Sequence, residues 1–195
     1  MFELPTTVMV GETTFNIRNK GDFRMILDCF TALQDIELEK EERVITALII
    51  FYEGIDSLDD VFTKLPNLEQ SIKEMYKFFN CGQEEANGLK TNYKLVDWKQ
   101  DEQLIASAIN NVANTEIRAL PYIHWWTFLG YYTAIGECPF SNIISIRYKI
   151  ARGKKLEKYE QEFKRDNPQY FSWNASSVEK QEADELVKQL WNSGE

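Results

Sequence analysis

The sequence is poor in the residues from which metal and acid–base sites are built. It has one histidine, His124, and three cysteines, Cys29, Cys81 and Cys138, spaced too widely for paired zinc ligands. An odd, dispersed cysteine set also argues against a disulfide framework. Nothing at the N-terminus resembles a signal peptide, so a reducing cytoplasm is expected. The nine glycines fall singly, which excludes a glycine-rich phosphate loop, and no Gly-x-Ser-x-Gly turn offers a nucleophile. Long apolar runs are missing too. The best candidate, Ala119 to Ile135, would span roughly 25 Å at about 1.5 Å per residue, short of the roughly 30 Å bilayer core. It also carries His124, Thr127 and Thr133. No internal repeat or low-complexity segment stands out.

What is present suits one well-cored domain. Hydrophobic residues make up 44% of the 195 and aromatics 13%, enough buried surface to offset chain entropy. The net charge of -9 disfavours uniform contact with nucleic acid or an anionic membrane. The pattern predicts a mainly α fold of about seven helices, with a helical domain over residues 1–168 and a β-hairpin at 6–18. Residues 169–195 read as a linker and an amphipathic helix.

In the opening segment Val8 and Val10 alternate into a Gly11-Glu12 turn, and Phe15 and Ile17 return. Gly at the first central position suits a type II′ turn. Asp22 is placed to cap a helix from Phe23 to about Ile36. Acidic residues from Glu37 begin the next helix, which is stopped by Gly54. Ser57 and Asp60 are spaced like a capping box, and Pro66 fits the first turn of a helix ending near Gly82. Cys81 to Val96 reads as the longest loop. Asp97 or Asp101 starts a helix through Ile109, and Thr115 caps the approach to the next. That next helix, Ala119 to Gly136, holds two of the five tryptophans and is apolar nearly all round, so other helices are expected to pack on it. Ser141 begins a helix ended or kinked by Gly153, and one through Phe163 should stop before Asn167-Pro168.

His124 lacks partners that would make a mechanism: no strained-turn nucleophile, no orienting acid and no second metal ligand are spaced around it. Asp97, Asp101 and Glu102 are where a helix start wants acids. No cofactor is expected, and no enzyme. Between residues 147 and 165 lie eight of the twenty-two basic residues, interleaved with glutamates. Arg147, Lys154, Lys155 and Lys158 are candidate contacts for an acidic partner, which could be the chain's own last helix, or for nucleic acid. Leu186, Leu190 and Trp191 form an apolar stripe opposite Glu179, Glu182 and Glu185. They could anchor in a partner's groove or simply complete the core.

Three stretches together resemble one family. They are Val96-Asp97-Trp98-Lys99-Gln100-Asp101, the Leu120-x-x-x-His124-Trp125-Trp126 segment, and Ile143 to Lys158 with its Gly153-Lys154-Lys155-Leu156 core. They resemble the bacteriophage gene-product-fifteen family of tailed phages infecting Gram-positive bacteria. The opening hairpin and Asp22-Phe23-Arg24 also fit. The resemblance implies a small helical tail assembly chaperone in the host bacterial cytoplasm. It would bind the tape measure protein, and through it meet the tail tube protein, and a homo-oligomer is compatible with that role. Two alternatives stay open: a structural or completion component of the tail, and a nucleic-acid-binding regulator using residues 147–165.

Overall fold

In the computed structural model, residues 3–83 and 95–172 are described. The chain divides into two compact units, Met1–Ile144 and Ser145–Glu195.

The first unit opens with an antiparallel hairpin, β1 (Thr7–Val10) and β2 (Thr13–Asn16), with Val8 opposite Phe15 and Val10 opposite Thr13. Gly11 stands at φ +63, the conformation the turn demands. The hairpin rests on α4, and its buried Val10 and the following Ile17 join the core. Five helices follow: α1 (Phe23–Gln34), α2 (Lys40–Phe51), α3 (Leu58–Lys64), α4 (Leu68–Phe79) and α5 (Glu102–Ala113). Then come α6 (Trp125–Thr133) and α7 (Pro139–Ala151), which runs across the boundary between the units. The second unit adds α8 (Lys158–Asp166) and a 3-10 turn, Pro168–Tyr170. A mainly helical fold with an N-terminal hairpin is therefore what the chain forms, with eight α-helices among the described residues.

Most helix ends obey local chemistry. The Asp22 carboxylate accepts from the Arg24 amide at 3.0 Å, and Ser57 Oγ accepts from the Asp60 amide at 3.2 Å. Glu39 and Glu42 form a capping box at the start of α2. Gly153, at φ +63, ends α7, and α8 stops at Asp166, before Asn167-Pro168.

Four boundaries depart from the sequence pattern. Pro66 lies before its helix, because the side chain of Asn67 takes the capping role, accepting from the Gln70 amide at 2.9 Å. Thr115 does not cap the approach to the aromatic helix: α5 ends on Asn114 in the left-handed conformation (φ 53), Glu116 caps the 3-10 turn that follows by accepting from the Arg118 amide at 3.1 Å, and His124 caps α6. Pro139, whose missing amide proton costs nothing in a first turn, starts α7 two residues ahead of Ser141. The aromatic helix is the largest departure. Ile117–Ala119 is a 3-10 turn, Leu120 to Ile123 run extended, and α6 begins only at Trp125. Ahead of it, the Ile123 amide and carbonyl are both taken by the start of α1, so this residue has no backbone groups left for a helix.

Trp125 and Phe128 nevertheless stand at the centre of the core. Phe128 stacks on Phe23 at 4.5 Å between centroids, and Trp125 meets Phe30 and Phe128 at 5.6 Å. Each such buried ring contributes on the order of 2–3 kcal/mol. The most extensive helix pairing is between α1 and α2, with α6 packed on α1 and α5. Most of the 81–96 stretch and all of Leu186, Leu190 and Trp191 lie outside the described residues.

Candidate functional site: an apolar groove between α1 and α5

The helix starts of α1 and α6 meet in an antiparallel bridge between Asp22 and His124. Asp22 Oδ2 accepts the Ile123 amide at 3.0 Å, while Ile123 returns its carbonyl to the Phe23 amide at 2.9 Å. Arg24 grips the same carboxylate through Nη1 at 3.1 Å and reaches the Leu120 carbonyl with Nη2 at 2.7 Å. His124 is buried. Its Nδ1 accepts from the Trp126 amide at 3.1 Å, capping α6, which leaves the proton on Nε2 to donate to the Pro5 carbonyl at 2.9 Å. Burial holds its pKa below 6.5, and the Pro5 bond opposes that only in part. Both ring nitrogens therefore serve structure. Sequence reasoning singled this histidine out for inspection, but the cap could not be read there, because histidine is not among the usual capping residues.

Beside this junction, α1 and α5 stand apart and leave a groove of about 560 Å³. Its apolar lining is presented by the half-buried Leu27 and Trp98, backed by the buried core residues Phe23, Ile105, Ala106 and Phe128. The Asp97 carboxylate holds Trp98 there by accepting from the amides of Lys99 and Gln100 at 3.1 and 2.9 Å. The Trp98 ring leans on Phe30, Trp125, Phe128 and Tyr132. Arg24, Lys99 and Arg118 line the groove along with Asp28 and Glu102. Arg118 is held in a fork on Glu116 at 2.8 and 2.9 Å, and that guanidinium keeps the Glu116 carboxyl down at about 2. Burial pushes the Asp28 carboxyl up. An apolar floor bordered by charges of both signs can take a row of bulky side chains from a helix.

A second, more polar cleft of about 1060 Å³ borders β2 and α1. Its Arg18 is engaged at one end: Nη2 lies within hydrogen-bond distance of the carbonyls of Ile49, Tyr52 and Ile55 at 3.1, 3.1 and 2.9 Å and of the Asp56 carboxylate at 2.8 Å, while its buried Nε has no partner among the described residues. This guanidinium satisfies carbonyls at and beyond the C-terminal end of α2.

The basic run in the second unit is largely engaged at home. Arg147 is buried, and its Nε donates to the Tyr170 carbonyl at 2.8 Å, which withdraws it from any exposed set. Lys149 pairs with the buried Glu160 at 2.7 Å, an interaction that lowers the glutamate's pKa. The cations of Arg152 and Lys154 lie over the Tyr148 ring at 5.2 and 5.6 Å. Lys154, Lys155 and Lys158 are exposed.

Sequence reasoning missed the groove, although Phe23, Leu27 and Ile105 lie at apolar positions of the helices expected there. It also missed Leu58 and Phe62, which stand 55% and 61% exposed on α3. Their i, i+4 spacing beside the buried Val61 was the signal available. Among the described residues no cluster of histidine, cysteine or carboxylates could hold a metal ion, and no helix is long and apolar enough to cross a membrane.

These features define a mainly helical protein with an N-terminal hairpin and a groove of mixed lining between α1 and α5. The family model described as Bacteriophage Gp15 protein matches residues 3–171, and the chain belongs to that bacteriophage family. Searches of the curated proteins and of the solved structures find no match.

Proposed function

We propose that this protein is a phage tail assembly chaperone acting in the host cytoplasm. It binds apolar helices of the tape measure protein and keeps that chain soluble until tail tube subunits enclose it. The observation that carries this reading is the α1–α5 groove, where Leu27 and Trp98 present partly exposed apolar surface on an acidic molecule, in a member of a phage family. A groove of this kind offers reversible burial to another chain's exposed apolar stripe, and its mixed charges set orientation more than affinity. The net charge of -9 keeps the complex soluble.

Co-expression with the tape measure protein tests the reading. The tape measure chain should move from the pellet to the soluble fraction and co-purify, and Ala106→Leu, which fills the groove, should reduce both. If the tape measure chain stays insoluble and nothing co-purifies, the proposal fails. Recovery of this protein in stoichiometric amounts from purified particles would favour a structural tail component instead.

A further inference from the structure

In the second unit Arg147, Lys149, Arg152 and Lys154 are engaged by a carbonyl, a carboxylate and the Tyr148 ring. Lys155 and Lys158 are exposed and have no partner among the described residues. Lys158 also stands where a helix disfavours it. It is the first residue of α8, and the dipole at a helix start repels a cation. Tyr159 follows it, 68% exposed. Neither the misplaced cation nor the solvated ring stabilises the helix that carries it.

The chain holds a segment of complementary character. Residues 173–195 carry five acids against two lysines, while residues 147–165 carry eight cations against three glutamates. Leu186, Leu190 and Trp191 give that segment an apolar stripe, and at helical spacing Asp184 shares a side with Trp191, seven positions on. The point from which the segment departs is fixed. Arg147 Nε donates to the Tyr170 carbonyl at 2.8 Å, and the Phe171 ring meets Phe163 at 6.2 Å between centroids. This root lies toward the Asp166 end of α8, about 12 Å along the helix from Lys158. Residues 173–178, extended, reach roughly 20 Å, enough to bring the acids that follow to Lys155 and Lys158.

Tethering decides between this segment and other acidic partners. Exposed ion pairs and a single aromatic contact are weak, so a free partner at micromolar concentration would leave the face mostly empty. A segment joined to the face by a short linker meets it at an effective concentration on the order of millimolar, about a thousandfold higher. A polyanion is further disfavoured by Glu157 and Glu162 among the cations and by the net charge of -9.

We propose that residues 179–191 dock on the basic face of their own chain, with Asp184 and its neighbouring glutamates against Lys155 and Lys158 and Trp191 against Tyr159. The docked segment withdraws that face from other anions. The proposal goes beyond the chaperone reading and is tested without the tape measure chain, so either can fail alone.

Hydrogen exchange of the full chain at low salt, read by mass spectrometry, provides the test. Amides of residues 179–191 should exchange at least about tenfold more slowly in the wild type than in K155E/K158E, as a millimolar tether and a contact Kd near 0.1 mM give. W191A should act in the same direction. The α8 helix should persist in K155E/K158E, since a glutamate at its first position suits the dipole. The charge swap K155E/K158E/E182K/D184K should restore protection, and added salt should weaken it in the wild type. Protection should not change between about 1 and 100 μM protein, because the contact lies within one chain. A wild-type segment that exchanges as fast as in K155E/K158E, or a charge swap that restores nothing, overturns the proposal. Protection that rises with protein concentration overturns it in favour of a second copy. An unprotected segment, together with a single-stranded oligonucleotide that binds the wild type and not K155E/K158E, assigns the face to nucleic acid instead.

Discussion

Asp22 and His124, 102 positions apart in the chain, cap two different helices and are joined to each other by an antiparallel backbone bridge. Each side chain satisfies amides at the start of its own helix. The Asp22 carboxylate also takes the Ile123 amide, and the His124 ring takes the Pro5 carbonyl. Four segments therefore depend on two side chains: the stretch around Pro5, α1, the extended Leu120–Ile123 stretch and α6.

Removing the Asp22 carboxylate should be among the costliest single changes outside the aromatic core. D22A leaves the Arg24 and Ile123 amides and the Arg24 guanidinium without their acceptor, a loss of about 3 kcal/mol. D22N keeps one acceptor oxygen and should cost about half as much. Urea unfolding midpoints of the two variants against wild type measure the difference.

His124 makes stability pH-dependent in a definite direction. Burial lowers its folded pKa below the ordinary 6.5, so near that pH the unfolded chain binds a proton that the native chain does not. Stability should be full above that value and fall as pH drops through it, because the protonated Nδ1 can no longer accept the Trp126 amide. H124N supplies a capping oxygen without a titrating group. It should flatten the dependence between about pH 8 and pH 5 while costing about 1 kcal/mol for the lost Pro5 bond. Denaturant midpoints across that range report both effects.

Gly21 has no room for a methyl group. It stands at φ +76, and an added Cβ would lie 2.7 Å from Phe78 Cζ and 3.3 Å from His124 Nε2. Phe78 is buried and cannot swing away. G21A should cost about 2–4 kcal/mol, combining left-handed strain with overpacking. G54A, at φ +80 with nothing within 4 Å, should cost only the conformational share, about 1–2 kcal/mol. Comparing the two thermal midpoints separates the clash from the strain.

In the second unit, Lys149 holds the buried Glu160 ionised. The lowered glutamate pKa means this contribution is present above the ordinary carboxylate range and is lost as pH falls through the folded value. K149A should lower the unfolding midpoint at neutral pH by leaving a buried carboxylate unpaired. K149A/E160Q should recover most of that loss, because the amide oxygen still accepts from Glu157 in the capping box.

Much of the fold was legible locally. The Gly11 turn, the Asp22 and Ser57 caps and the stops at Gly153 and before Asn167-Pro168 depend on residues within a turn or so of each other, which is the range a sequence pattern reports. The aromatic helix was over-extended at its start for the opposite reason. Leu120 to Ile123 are apolar enough to look helical, and only Asp22 and Phe23, about a hundred positions away, draw the Ile123 backbone into an extended bridge. Likewise Arg147 reads as one cation in a basic run, and its burial against the Tyr170 carbonyl appears only when α7 and the 3-10 turn at Pro168 come together.

The sequence by itself determined the helical class, the hairpin, most helix caps and the family, because each rests on local chemistry or on characteristic residue strings. Tertiary structure decided which apolar faces were covered and which stayed open. Leu27 and Trp98 look like ordinary core positions along the chain, and Phe62 like one more residue of a short helix. Whether such a side chain ends in the core, in a groove or in water depends on which distant helices pack over it, and no spacing within a single helix encodes that.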